Sequence, residues 1–185
     1  MSLDYAILGF LNQKPYSGYD LKKIFDTSIR HFWPADQSQI YRTLNRMKAL
    51  GWVTVETVEQ ENRPDRKDYS ITPNGHAEFM QWLSTPLPME ENRSADMIQV
   101  FFASELSDTE ALKIFERARE NIKMGLSHYN AISRDPKMYQ QYTNSARAFY
   151  FWMMTLDIGV NMMKSNLKYL DQVIENIRTG KIPSK

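Results

Sequence analysis

The stretch DQSQIYRTLNRMKALG, from Asp36 to Gly51, decides the fold. Asp36 stands where a helix N-cap belongs. Gln39 follows at the spacing at which a cap and the third helical side chain satisfy each other's backbone N–H groups. Gly51 is a natural stop, because glycine ends helices without a Cβ clash. Between these marks, at about 100° per residue, Ile40, Thr43, Leu44 and Met47 gather on one face. Ser38, Arg42, Asn45 and Arg46 point the other way, with Gln39 and Tyr41 on the flanks. The first face needs other helices to cover it. The second faces outward, and no acid follows Asp36 before Gly51, so it is locally positive.

Upstream, Leu3, Ile7, Leu8 and Leu11 recur at helical spacing and predict a first helix over 3–12, ended by Pro15. Ser17-Gly18-Tyr19-Asp20 is a capping pattern that opens a second helix. Leu21, Ile24, Phe25 and Ile29 face inward there, and Phe32-Trp33-Pro34 breaks it. Downstream, WVTVETVE at 52–59 alternates as a strand, a charged turn runs from Gln60 to Lys67, and Asp68 to Ile71 returns as a short strand. Thr72 then caps a helix with Pro73 at its first position, a favoured place for proline. It carries Phe79, Trp82 and Leu83 and stops at Pro86. Three helices, strand, turn, strand, helix is the element order of a winged helix-turn-helix with a two-stranded wing.

The proline-bearing stretch 85–94 reads as a linker. It divides a winged domain, 1–84, from a helical domain, 95–185. In the latter, a short helix spans 95–104, and Ser107 to Glu110 is a capping box opening a helix to about 133. Asp135-Pro136 opens a long final helix. On that helix Tyr142, Ala146, Phe149, Met153, Leu156, Val160, Met163, Leu167, Leu170, Ile174 and Ile177 alternate spacings of four and three. Such a repeat marks helix-on-helix supercoiling. A helix of about 40 residues is about 60 Å long. The seam Phe149, Met153, Leu156, Val160, Met163, Leu167, Leu170 and Ile174 is therefore expected to meet a second copy. The alternative is packing within its own subunit. The fold class is mainly α, a winged helix-turn-helix plus a helical dimerisation domain.

Composition bounds the function. The 185 residues are 42% hydrophobic and 24% charged, and they contain no cysteine, which excludes disulfides, thiol nucleophiles and cysteine-based zinc sites. The N-terminus lacks a basic n-region and a small-residue cleavage site, and no apolar run spans a membrane. A cytoplasmic, nucleoid-associated protein is expected. His31, His76 and His128 lie in separate segments without ligand spacing, and no G-x-S-x-G, phosphate-binding loop or G-x-G-x-x-G occurs. No enzyme activity, metal or cofactor is expected.

Net charge is +1, and residues 1–85 carry ten Lys/Arg against ten Asp/Glu. Nucleic-acid binding therefore rests on where the charges lie. Arg, Asn and Gln read base edges in a major groove, and Ser and Tyr suit phosphates and sugars. Arg63, Arg66 and Lys67 in the wing turn are placed to reach the backbone or minor groove. A merely solvated helix face is the plainer alternative.

The resemblance is specific. YAILGFL at 5–11, SGYDLKK at 17–23, FW at 32–33, SQIYRTLNRMKALGWV at 38–53 and RPDRKDYSITPNG at 63–75 together resemble the PadR family across residues 3–83. The second half, with DMIQVFFASELS at 96–107, is similar to the virulence activator alpha C-terminal domain. The resemblance implies a homodimeric repressor bound to a pseudo-palindromic operator in double-stranded DNA. It implies recognition-helix roles for Ser38, Gln39, Tyr41 and Arg42, and wing roles for Arg63 and Lys67. Asn45 and Arg46 join on helical geometry alone. Some family members respond to phenolic acids, others to hydrophobic drugs. A small aromatic effector is expected here, with Trp33 and Trp152 as pocket residues. The alternative function is a winged-helix assembly module without an operator.

Overall fold

The structure, a computed structural model, describes residues 2–59, 65–88 and 94–183. Arg63 and part of the expected linker lie outside them. The chain divides into two compact units, Met1–Pro88 and Met89–Lys185, each taken by itself below.

The first unit runs α1 (Ser2–Leu11), β1 (Tyr16–Ser17), α2 (Gly18–Thr27), α3 (Gln37–Ala49), β2 (Val53–Val58), β3 (Arg66–Ile71) and α4 (Pro73–Ser84). Its core is made by Ile7, Leu8 and Leu11 of α1, Leu21, Ile24 and Phe25 of α2, and Ile40, Leu44 and Met47 of α3, all buried. Burying one such side chain is worth about 1.5–3 kcal/mol. A helix cap contributes about 1 kcal/mol. The apolar stripes therefore decide how the three helices assemble, and the caps at Ser17 and Asp36 decide where α2 and α3 begin. Asp36 and Gln39 form the expected reciprocal box: Gln39 N donates to Asp36 Oδ1 at 2.7 Å, and Asp36 N donates to Gln39 Oε1 at 2.9 Å.

Two boundaries differ from the sequence expectation. The helix α2 stops at Thr27 rather than at Phe32. The Thr27 hydroxyl donates to the Lys23 carbonyl at 3.0 Å and the Ser28 hydroxyl to the Ile24 carbonyl at 2.5 Å, side-chain bonds that compete with the helical ladder at its end. Ile29 falls beyond the helix and is half-buried. The wing also has a third strand. In the antiparallel order β1-β3-β2, Tyr16 pairs with Tyr69 and Ser17 with Asp68, while Val53 to Val58 pairs with Ile71 to Arg66. Two residues show no alternation, so β1 exists only through its partner. β3 starts at Arg66, which puts Arg66 and Lys67 in the strand rather than the turn.

Thr72 ties the wing to α4. Its Oγ1 donates to Gly51 O at 2.7 Å and accepts from Gly75 N at 3.0 Å. Gly75 sits against the carbonyl of Trp52, where a Cβ would lie 2.1 Å from the oxygen. That contact is the physical reason for glycine in the T-x-x-G run.

The second unit comprises α5 (Ala95–Phe101), a 3-10 turn (Ala103–Glu105), α6 (Asp108–Ala131), a second 3-10 turn (Pro136–Tyr139) and α7 (Ala146–Arg178). Asp135-Pro136 opens only that second turn, and the final helix begins at a new cap, Ser145, whose Oγ accepts from Ala148 N at 3.1 Å. At 33 residues α7 is about 50 Å long. Tyr139 accounts for the interruption. It is buried, its hydroxyl donates to Ser133 O at 2.8 Å, and its ring meets Phe149 and Trp152 at 5.5 and 6.3 Å.

The expected dimer seam is occupied by the chain itself. α6 and α7 pack antiparallel: Ala111 and Phe115 cluster with Ile174 and Ile177, Met163 meets Gly125, and Tyr129 meets Gly159. Leu156, Val160 and Ile174 are buried, and Phe149, Met153, Met163, Leu167 and Leu170 are half-buried. The periodicity identified a packing face correctly, but α6 supplies its partner. A second apolar stripe lies on the opposite side of α7. Phe151, Met154, Ile158, Met162 and Tyr169 fall within about 80° of one another at 100° per residue. All five are exposed, Met162 at 62% and Tyr169 at 71%.

Glycine-to-alanine changes in exposed helix interiors usually stabilise by about 1 kcal/mol. Gly75→Ala is predicted to do the reverse, lowering stability by about 1–3 kcal/mol through overpacking on Trp52. Urea unfolding measures this, and an unchanged or raised midpoint would contradict it.

Candidate nucleic-acid interface

Because Ile40, Thr43, Leu44 and Met47 are buried, α3 turns Ser38, Gln39, Tyr41, Arg42, Asn45 and Arg46 outward, and all six are exposed. These side chains are not equally free. Arg42 has no ion pair among the described residues. Gln39 gives its carbonyl oxygen to the Asp36 cap, leaving its amide N–H groups. Tyr41 packs on Gly18 at the start of α2, where a Cβ would lie 2.5 Å from a ring atom. Tyr41 thus spaces α3 from α2. Beneath it, the Tyr69 hydroxyl is held above its ordinary pKa by burial and by the neighbouring Tyr41.

Arg46 departs most from expectation. Its guanidinium is paired with Asp4, a carboxylate on α1 that is only 3% exposed. Leaving a buried carboxylate unpaired is strongly destabilising. Arg46 therefore braces α3 against α1, and it is not the free base-reading group that helical geometry alone placed there.

Lys67 is exposed on β3 and has no ion pair among the described residues. Its neighbour Arg66 is held by two acids, with Nη2 3.0 Å from Asp20 Oδ2 and Nε donating to Asp68 Oδ1 at 2.6 Å. The hydrogen bond to Asp68 raises the Arg66 pKa above its ordinary value; desolvation opposes it, and the nearby charges of Asp20 and Asp68 add to the rise.

The two tryptophans belong to different units. Trp33 is 38% exposed and lines an open cavity of about 440 Å³ with Leu3, Pro34, Gln39, Arg42, Thr43 and Arg46. Trp152 is half-buried and edge-on to Tyr139, so it is part of the packing that starts α7. Among the described residues no His/Asp/Glu cluster is arranged to hold a metal, and no helix is long and apolar enough to cross a membrane.

Comparison with known proteins gives this geometry a context. Residues 7–81 match the transcriptional regulator PadR-like family, and residues 92–178 match the virulence activator alpha C-terminal family. A probable transcriptional regulator of Mycobacterium tuberculosis, Rv1176c, is 47% identical over 87 residues, 47% of this chain and 46% of that protein. The negative transcriptional regulator PadR of Bacillus subtilis is 36% identical over 115 residues, 62% of this chain and 63% of that protein. The alignments thus span about half to five-eighths of these curated relatives. Crystal structures of Bacillus subtilis PadR are similar over nearly the whole chain. The complex with operator DNA has a TM-score of 0.81 at 28% identity, covering 96% of this chain and 99% of that one. The complex with p-coumaric acid has a TM-score of 0.78 at 27% identity with the same coverage. On these matches the chain joins a domain of the transcriptional regulator PadR-like family to a virulence activator alpha C-terminal domain.

Proposed function

We propose that the protein is a sequence-specific regulator, a repressor by kinship, that binds double-stranded DNA through α3 and the wing. The observation that carries this reading is the outward face of α3. Arg42 and Asn45, with the Gln39 amide, are the side-chain types that pair bidentately with guanine and adenine edges. Ser38, Tyr41 and Lys67 flank them as phosphate or sugar contacts. Arg63 is assigned to the wing contact on resemblance alone. The likeness to a PadR structure holding operator DNA supports the assignment. The site of action is then the cytoplasm. Arg42→Ala should weaken binding to the duplex upstream of the protein's own gene by about 1–3 kcal/mol. Wild-type affinity should also fall steeply with salt as counterions are released. A gel shift and an anisotropy titration measure both. Flat salt dependence with an unaffected Arg42→Ala would instead favour an assembly module.

A homodimer suits this function, because two-fold related recognition helices about 34 Å apart address half-sites one turn apart. With the Leu156 seam filled by α6, the surface open to a second copy is the opposite stripe of Phe151, Met154, Ile158, Met162 and Tyr169. Exposed apolar side chains gathered on one helix face in this way mark an association surface. Asp at both Ile158 and Met162 should convert dimer to monomer in sedimentation velocity while leaving the helical circular dichroism intact. A monomeric wild type, or an unaffected dimer in the variant, would remove the assignment.

The effector is proposed to be a small aromatic carboxylate held beside Trp33. The cavity there offers Leu3, Trp33 and Pro34 as an apolar wall and Arg42 for the carboxylate. Its size lies within the usual range for small-molecule sites. The PadR complex with p-coumaric acid supports the ligand class. A ligand on Arg42 competes directly with DNA. p-Coumaric acid should quench tryptophan emission in the wild type, not in Trp33→Phe, and release the duplex. Equal quenching in both proteins would place the ligand elsewhere.

A further inference from the structure

Two acids stand at the edge of a surface proposed to meet a polyanion, and elementary electrostatics makes that unfavourable. Asp20 is in the first turn of α2, and Asp68 is on β3. Arg66 forks between them, 3.0 Å from Asp20 Oδ2 and 2.6 Å from Asp68 Oδ1. The same Asp20 oxygen accepts from Ser17 Oγ at 2.7 Å, and that hydroxyl accepts from Asp20 N at 3.1 Å. Ser17 pairs with Asp68 across the β1–β3 ladder. Four residues thus close a ring between the turn end of β3 and the start of α2. Tyr41 rests on Gly18 in that same turn, so the ring also adjoins α3.

Exposed ion pairs contribute little to global stability, because solvent screens them. The Arg66 side chain is 42% exposed and Asp20 34%. What such a fork can do is hold two elements in one geometry, since a planar guanidinium meets carboxylates in fixed directions. Lys67 is the contrast. As the next residue it points to the other face of the strand, and it has no ion pair among the described residues.

We propose that Arg66 is a positioning residue for DNA: clamped between Asp20 and Asp68, it fixes β3 against α2 so that Lys67 meets a phosphate while α3 is in the groove. This rests on the DNA-binding reading above. Arg66 itself makes no phosphate contact, and Asp20, although negative, favours binding.

The full chain and the duplex upstream of its gene serve for the test, by anisotropy between 50 and 200 mM salt. Asp20→Asn is expected to weaken binding by roughly threefold to tenfold although it removes a negative charge, and Arg66→Gln by a similar factor. The double variant should be no weaker than either single one, because both break one clamp. Arg66→Gln should leave the salt slope unchanged, whereas Lys67→Gln should flatten it by about 0.9, the loss of one phosphate contact. Arg66→Lys, which keeps the charge and loses the fork, should remain weak. Tighter or equal binding by Asp20→Asn, or a slope flattened by about 0.9 in Arg66→Gln, overturns the proposal. If Asp20→Asn does not fold, judged by thermal unfolding, Asp68→Asn poses the same question from the strand. Should Arg42→Ala weaken binding and the clamp variants not, only this inference falls. Should the wild type bind no duplex, the DNA reading falls with it.

Discussion

The burial of Ile40, Leu44 and Met47 is the constraint on which the rest depends. Those side chains enter the core formed by α1 and α2, and at 3.6 residues per turn their entry fixes the rotation of α3 about its axis. Arg42 and Asn45 then have nowhere to point but outward. Turning the helix half a revolution would bury a guanidinium, at several kcal/mol of desolvation, and expose three large apolar groups. The Asp4–Arg46 pair adds a polar pin between α1 and α3 beside this core. It makes rotation and translation of α3 both expensive. The outward face of α3 is thus fixed by groups that are not part of it.

The same division of labour recurs in the wing. Tyr69 and Val53 are buried and anchor the sheet to the unit's core, while the charged strand residues reach its exposed end. Of the three consecutive charged residues there, Arg66 and Asp68 are consumed by the clamp on Asp20, and Lys67 is left over. Local sequence makes the two basic residues, Arg66 and Lys67, look alike. Their partners make them different.

In the second unit α7 carries apolar stripes on two faces. One face is covered by α6. Its buried members, Leu156, Val160 and Ile174, face the same subunit. The other face, from Phe151 to Tyr169, is bare in the single chain. A 3.5-residue repeat states that a face will be buried, and it does not state by what.

Legibility in the sequence follows the reach of each interaction. The caps at Asp36, Thr72 and Ser107 were readable because cap and partner lie three residues apart. The inner and outer faces of α3 were readable for the same reason. What was missed depends on distant residues. The strand β1 exists only against β3. The late start of α7 depends on Tyr139 packing on Phe149 and Trp152. Arg46 is committed to a residue 42 positions away, and Arg66 to one on another element. Gly75 was visible within a motif, but its cause, the Trp52 carbonyl, is a tertiary contact. The most direct test of the central claim is site-specific photocrosslinking. A benzophenone side chain is placed at Asn45 on the outer face of α3, or at Glu78 on α4 as a control, with the duplex upstream of the gene. The expected result is a crosslink to bases from position 45 and none from position 78. No crosslink from position 45, with the duplex demonstrably bound, would contradict the claim that this face enters the groove.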